Sequence, residues 1–203
     1  VEVAALVATD QPGVDVTDDW TGFGQRLTGS GTAVFTEALV DGSHIYPFAN
    51  RFDYQTALYQ LVLVAAQAGI TKAAARDAAF QVANRARTFS HGNAARTRDD
   101  AQLLAIVGEI EAAAFTAEAV VLHAASWLDR SADAAELTDD ERSRLKADTE
   151  LAVAKAQISV HPLALSATTR LFDALGASAT STASALDRHW RNVRTIASHN
   201  PVL

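Results

Sequence analysis

From about Tyr54 onward the chain reads as one long succession of helices, and this is the feature that most restricts its fold. The stretch is rich in alanine, and its only prolines are Pro162 and Pro201. Alanine loses no side-chain entropy in a helix, and proline would break one. Leu58, Leu61, Val62, Ala65, Ala68 and Gly69 recur at helical spacing, in a segment that should run to about Thr88. Asp99-Asp-Ala-Gln102 has the form of an N-cap. Beyond it Leu103, Val107, Ile110, Ala114, Ala117, Val121 and Leu128 mostly repeat every three or four residues, the seam of a helix packed on other helices. Thr138-Asp-Asp-Glu141 is a capping box with acidic residues in the first turn, where the helix dipole favours them. The helix it opens shows Ala147, Leu151, Ala154 and Ile158 along one face. It should kink or break at Pro162, resume at Leu163 and end at Gly176. Ser181–Ile196 supplies a shorter fourth helix, and four helices with short connections make a bundle.

The first fifty residues differ. Val1, Val3 and Ala5 alternate as in a half-buried strand, and Asp10-Gln-Pro-Gly13 is a turn signal. Gly22, Gly24, Gly29 and Gly31 punctuate a loop before a second alternating strand around Val34–Leu39. Two strands cannot form a stable sheet alone, so this segment is expected to complete a β-domain begun elsewhere. With no Met in 203 residues and Val1 at its start, the sequence reads as part of a longer chain.

The charge balance, 17 basic against 24 acidic residues, gives −7 and disfavours nucleic-acid binding. The longest apolar run, near Leu58–Ile70, is broken by Gln60, Gln67 and Gly69, so no membrane span is expected. No basic region with an apolar core opens the chain as a secretion signal would. Zero cysteines exclude disulfides, thiolate metal sites and cysteine nucleophiles, and a cytoplasmic location is the simplest expectation. No histidine pair has metal spacing with a supporting carboxylate, so no metal is expected; His44, His123 and His161 read as structural. Nucleotide-binding glycine loops and the nucleophile elbow of hydrolases are missing.

Two basic clusters remain. In Asp187-Arg-His-Trp-Arg-Asn-Val-Arg194, Arg188, His189, Arg191 and Arg194 sit within two turns. They form either a solvated, locally paired face or an anion- or ring-binding edge. Arg85-Ala-Arg87-Thr-Phe89-Ser-His91 lies at a helix end, where the dipole alone favours cations; the alternative is a phosphate clamp with an aromatic platform. Gly176-Ala-Ser178 is a C-cap or a place where backbone approaches a ligand.

Together these residues resemble the C-terminal half of the acyl-CoA dehydrogenase superfamily, in its branch of flavin-dependent monooxygenases related to dibenzothiophene and sulfone monooxygenases. Gly22-Phe-Gly-Gln-Arg-Leu-Thr-Gly-Ser-Gly-Thr32 looks like the end of that family's middle β-domain, Arg87-Thr-Phe89-Ser90 like its helix-end flavin-phosphate motif. Leu171-Phe-Asp-Ala-Leu-Gly-Ala-Ser178 stands where dehydrogenases carry a Gln-x-x-Gly-Gly pyrophosphate loop, with Asp173 and Ala177 departing from it. The most specific piece is Asp187–Arg194 continuing to His199-Asn-Pro201.

The resemblance implies a mainly α fold: residues 1–52 end the middle β-domain and residues 53–203 form the helical bundle. It implies flavin (FMN or FAD) held through Arg87, Phe89, Ser90, Gly176, Ala177 and Ser178, and a substrate cavity lined by Tyr59, Gln60 and Leu63. Reduced flavin from a separate reductase would react with O₂ on a small apolar, sulfur-containing substrate, with His199 hydrogen-bonding or protonating the flavin–oxygen adduct. Asn200 stands where many dehydrogenases have a catalytic Glu, and Asn cannot serve as a base. An FAD-dependent acyl-CoA dehydrogenase-like oxidoreductase and a non-catalytic helical oligomerisation module are the alternatives. The family's assembly implies a homotetramer, with Arg87 and the Gly176 loop serving a neighbouring subunit's flavin.

Overall fold

Three long helices form the body of the protein, a computed structural model that describes residues 2–199. They are α1 (Gln55–Asn84), α2 (Ala101–Ala132) and α3 (Asp139–Leu175); a short α4 (Asp187–His199) crosses α1 and α3. Along α1 the buried residues Ala57, Leu61, Val64, Ala68, Thr71, Ala75, Ala78 and Val82 alternate steps of four and three. That spacing keeps one seam toward its neighbours. Leu103, Ile110, Ala114, Ala117, Ala124 and Leu128 do the same on α2. Small alanines at these positions let the backbones approach closely. The apolar core falls into two clusters, joined at mid-bundle by Gln67, Thr71 and Thr168, all fully buried. Both threonine hydroxyls are satisfied within their own helices, on the carbonyls of Gln67 and Ala164 (2.8 Å each).

Several expectations need correction. The first helix stops at Asn84, four residues early, leaving Arg85 extended. At 30 residues it is long and apolar enough to cross a membrane, which the interrupted run did not imply. Its seam is instead buried against α2 and α3. Pro162 does not break α3, because its ring lies on the exposed face, where the carbonyl it leaves unpaired can meet solvent. The face of α3 that is buried holds Thr149, Val153, Ala156 and Val160, not Ala147, Leu151, Ala154 and Ile158. Apolar residues occupy both faces at the same spacing, so periodicity alone does not say which one is buried. The capping box holds, with Glu141 Oε2 accepting from the Thr138 amide (2.9 Å) and hydroxyl (2.7 Å).

The N-terminal segment forms four strands rather than two: β1 (Val3–Ala5), β2 (Val14–Thr17), β3 (Thr32–Phe35) and β4 (Ile45–Pro47). They pair antiparallel as β1–β4 and β2–β3. The half-buried strands expected are almost wholly exposed, since two-stranded ribbons have no layer to bury a face against. The turn into β2 forms as read, Val14 N–H donating to Gln11 O with Gly13 at φ 83°.

Candidate functional site

The loop between β2 and β3 folds onto α4, and that contact builds a cleft near the end of the bundle. At the loop's base, Asp19 accepts from the Thr32 amide (2.9 Å) and hydroxyl (2.7 Å). Those bonds, the hydroxyl's first, hold its carboxyl below the usual value. Within the loop Trp20 Nε1 donates to Gly24 O (2.9 Å). Gly24 is buried on the helix: the Gln25 amide donates to Asn192 Oδ1 (2.7 Å) and Arg191 Nη1 to Phe23 O (2.8 Å). Phe23 stacks on Trp190, with centroids 5.8 Å apart and planes at 13°.

Between this loop, α1 and the end of α4 lies a cleft of about 540 Å³. Trp20, Phe23 and Leu63 give it apolar walls, and Gln25, Thr28, Arg194, Ser198 and His199 bring polar groups. The size and the mixture suit a small organic ligand with a planar apolar part. Among the described residues no Asp or Glu lines it. Arg194 is turned to Ser198 Oγ (Nη2 at 2.9 Å, Nε at 3.2 Å).

Of the residues singled out in the sequence, His199 and Leu63 meet in this cleft. Tyr59 lies one turn before Leu63, outside the lining, with its hydroxyl accepting from Gln55 Nε2 (2.6 Å); Gln60 is half-buried and also outside it. Asn200 and Pro201 fall outside the described residues. Arg194 was read as part of the α4 basic edge, and Phe23 and Gln25 as part of the Gly22–Thr32 motif, but none of them was placed in this cleft; Trp20 and Ser198 were not picked out.

The anion-binding edge read into the α4 arginines is not free. Asp77 Oδ2 on α1 takes both Arg188 Nη2 (2.5 Å) and His189 Nε2 (2.7 Å), while Arg191 pairs with Asp187 (2.8 Å) and the loop carbonyl. A carboxylate only accepts, so His189 carries its proton on Nε2. Burial lowers the His189 pKa and outweighs the raising effect of Asp77. Burial would raise the Asp77 carboxyl, but the bonds from His189 and Arg188 leave it below its ordinary value.

A second constellation forms at the other end of α1. Arg85 stacks over the Phe89 ring (4.4 Å) and donates to Leu175 O (2.6 Å), tying the residues after α1 to the end of α3. Phe89 packs beside Gly176, which ends α3 at φ 63° and ψ −158°. So Phe89 and Gly176 do come together. Arg87, Ser90, Ala177 and Ser178 are all exposed nearby. The hydroxyls are used locally, Ser90 with His91 Nδ1 (3.0 Å) and Ser178 on Leu175 O (3.1 Å). The Arg87 guanidinium has no hydrogen-bond or ion-pair partner among the described residues. At 1.5 Å per residue, Arg85 is roughly 33 Å along α1 from Leu63, so this corner and the cleft are separate in one chain.

Residues 61–202 match the family described as acyl-CoA dehydrogenase, C-terminal domain. The chain belongs to that family. It is 29% identical over 204 residues to a probable FMNH2-dependent monooxygenase, SfnC of Pseudomonas putida, covering 98% of this chain and 51% of that protein. Among solved structures it resembles the dibenzothiophene monooxygenase TdsC of Paenibacillus sp. A11-2 in complex with FMN and indole. That likeness has a TM-score of 0.88 and 29% identity, covering 98% of this chain and 52% of TdsC. It also resembles the methanesulfinate monooxygenase MsuC of Pseudomonas fluorescens (TM-score 0.85, 30% identity, 98% and 52% covered). The chain thus spans about half the length of the relatives it matches. Among the described residues no cluster of His, Asp or Glu could hold a metal ion.

Proposed function

We propose that this chain is the C-terminal half of a two-component flavin-dependent monooxygenase that acts on a small apolar substrate, with organosulfur compounds first in line. The single observation that carries the reading is the cleft at His199, walled by aromatic side chains and polar donors and, among the described residues, without a carboxylate, in a fold shared with FMN-bound TdsC. Flavin fits these residues: its planar ring suits Trp20 and Phe23, and the exposed Arg87, whose guanidinium has no partner among the described residues, suits its phosphate. When bound, reduced flavin supplies the electrons that activate O₂. Ser198 and Arg194 hold the polar rim, the docked loop excludes water, and His199 offers or takes a proton at an imidazole nitrogen. FMN is the preferred form, in keeping with SfnC and TdsC.

Residues 1–52 belong to a middle β-domain completed by further strands, and residues 53–203 are the bundle domain. The exposed stripe of Phe115, Leu122, Leu151 and Ile158 borders a groove of about 700 Å³ between α2 and α3. We assign it to packing between subunits in a homotetramer, in which the Arg87–Gly176 corner serves a neighbour's cleft. That arrangement accounts for the two half-sites at opposite ends of α1. A separate reductase and a cytoplasmic location belong to the same reading.

The test uses the full-length protein with FMN, a flavin reductase, NADH and dibenzothiophene or indole under ¹⁸O₂. One labelled oxygen should appear in product, and His199→Ala should lower turnover at least tenfold while FMN still binds. If an acyl-CoA instead bleaches bound flavin without oxygen, the protein is a dehydrogenase. If it assembles but neither binds flavin nor oxidises anything, it is an oligomerisation module.

A further inference from the structure

We propose that Asp77, on α1 and outside the cleft, is a positioning residue that sets the register of α4 and thereby places Arg194, Ser198 and His199. A helix of 13 residues has little stability of its own, so its position comes from its anchors. The buried Val193 and Ile196 supply apolar area, which attracts without direction. Direction comes from one carboxylate oxygen, which takes Arg188 Nη2 at 2.5 Å and His189 Nε2 at 2.7 Å. His189 is only 4% exposed, so its orientation is fixed as well.

The same guanidinium works in the other direction along the chain. Arg188 Nη1 donates to Ala185 O (2.9 Å), in the turn that leads into α4, and Ala185 has φ 46°, a left-handed conformation that alanine avoids. Asp77 therefore orients the side chain that clasps a strained turn and also the first turn of the helix. Downstream, a one-residue slip of α4 would advance it 1.5 Å and rotate it about 100°. Either motion would pull Asn192 from Gln25 and Arg191 from Phe23, opening the cleft wall.

The activity arm of the test rests on the monooxygenase reading; the structural arm does not. In the full-length protein, Asp77→Asn should speed amide exchange across residues 187–199 about tenfold, while the seam around Ile110 and Leu171 exchanges at the wild-type rate. Oxidised FMN should bind about tenfold more weakly. Asp77→Glu keeps the charge but lengthens the arm by one methylene. It should stay folded and lower kcat severalfold with substrate KM within twofold. Wild-type exchange in α4 together with wild-type FMN affinity in Asp77→Asn overturns the proposal, as does faster exchange spread evenly over all four helices. If Asp77→Asn does not fold, Asp77→Glu decides in the same way, with unchanged kcat counting against the proposal. A wild-type protein that neither binds FMN nor oxidises refutes the functional reading, and the exchange data still judge the positioning role.

Discussion

Gly24→Ala would separate the cleft from the bundle. A Cβ at this position would stand 2.2 Å from the Arg191 carbonyl oxygen and 2.5 Å from Thr195 Oγ1. That carbonyl is helical backbone and already accepts the Thr195 hydroxyl (2.9 Å), so neither atom can swing aside cheaply. Carbon and carbonyl oxygen come no closer than about 3.3 Å even in favourable contacts, so the loop must withdraw by roughly 1 Å. Such a shift breaks the Gln25–Asn192 and Arg191–Phe23 hydrogen bonds and unseats Phe23 from Trp190. Two hydrogen bonds at about 1 kcal/mol each and a ring pair at about 1 kcal/mol put loop docking near 3 kcal/mol. At 1.4 kcal/mol per decade, FMN should bind about a hundredfold more weakly to the full-length variant. Since the loop's hydrogen bonds and ring contact run to α4 rather than to the α1–α3 seam, the main thermal transition should move by no more than about 2 °C. Gly29→Ala in the same loop meets nothing within 4 Å and is the control, expected within about twofold of wild type. Titration of FMN by its fluorescence, followed alongside tryptophan emission, reads both. Wild-type affinity in Gly24→Ala would refute the loop as a cleft wall, and a large fall in Tm would refute the separation of loop from bundle.

Two further outcomes follow from the same structure. Gly176→Ala should destabilise by about 2–3 kcal/mol in urea unfolding, because φ 63° with ψ −158° is open essentially to glycine alone and the new Cβ would lie 3.3 Å from the Phe89 ring; unchanged stability would mean the turn relaxes freely. Burial lowers both His189 and His161, the second helped by the Arg194 charge, so the unfolded chain takes up protons near its ordinary value of 6.5 while the folded protein does not. Stability should therefore fall as pH drops from 7 toward 5, His161→Gln should flatten part of that slope, and a flat wild-type profile would contradict neutral buried imidazoles.

What could be read from the sequence divides by the range of the interaction. The α2 seam, the Thr138 cap and the stop at Gly176 are written within a few turns of chain, and they stand in the structure where expected. Ribbons β2 and β4 escaped because strands of four and three residues carry almost no pattern; their pairing is set by segments some tens of residues away. The buried face of α3 escaped for a different reason, since its outward stripe is just as apolar. In the cleft, His199 and Leu63 were legible, His199 through the family resemblance, but the loop that covers them was not. Gly24 is buried by a helix more than 160 residues later, and Gln25 is bonded 167 residues away.

The arginines show most clearly what local sequence cannot say. Arg188 and Arg191 looked available for an anion because a sequence displays donors side by side but not the acceptors that other elements bring. Asp77, between Arg76 and Ala78 in an alanine-rich helix, carries no local mark of its role, and its partners lie 111 and 112 residues on. Once Arg85 is committed to Phe89 and Leu175, and Arg188 and Arg191 to Asp77, Asp187 and Phe23, the basic clusters shrink to Arg87 and Arg194. Among the described residues the Arg194 guanidinium donates only to a serine hydroxyl on its own helix, and that of Arg87 has no hydrogen-bond or ion-pair partner. One borders the cleft and the other the Gly176 corner. The fold engages its other cluster arginines and leaves these two, one beside the cleft and one at the other end of α1, where the flavin site proposed between neighbouring subunits would need a cation.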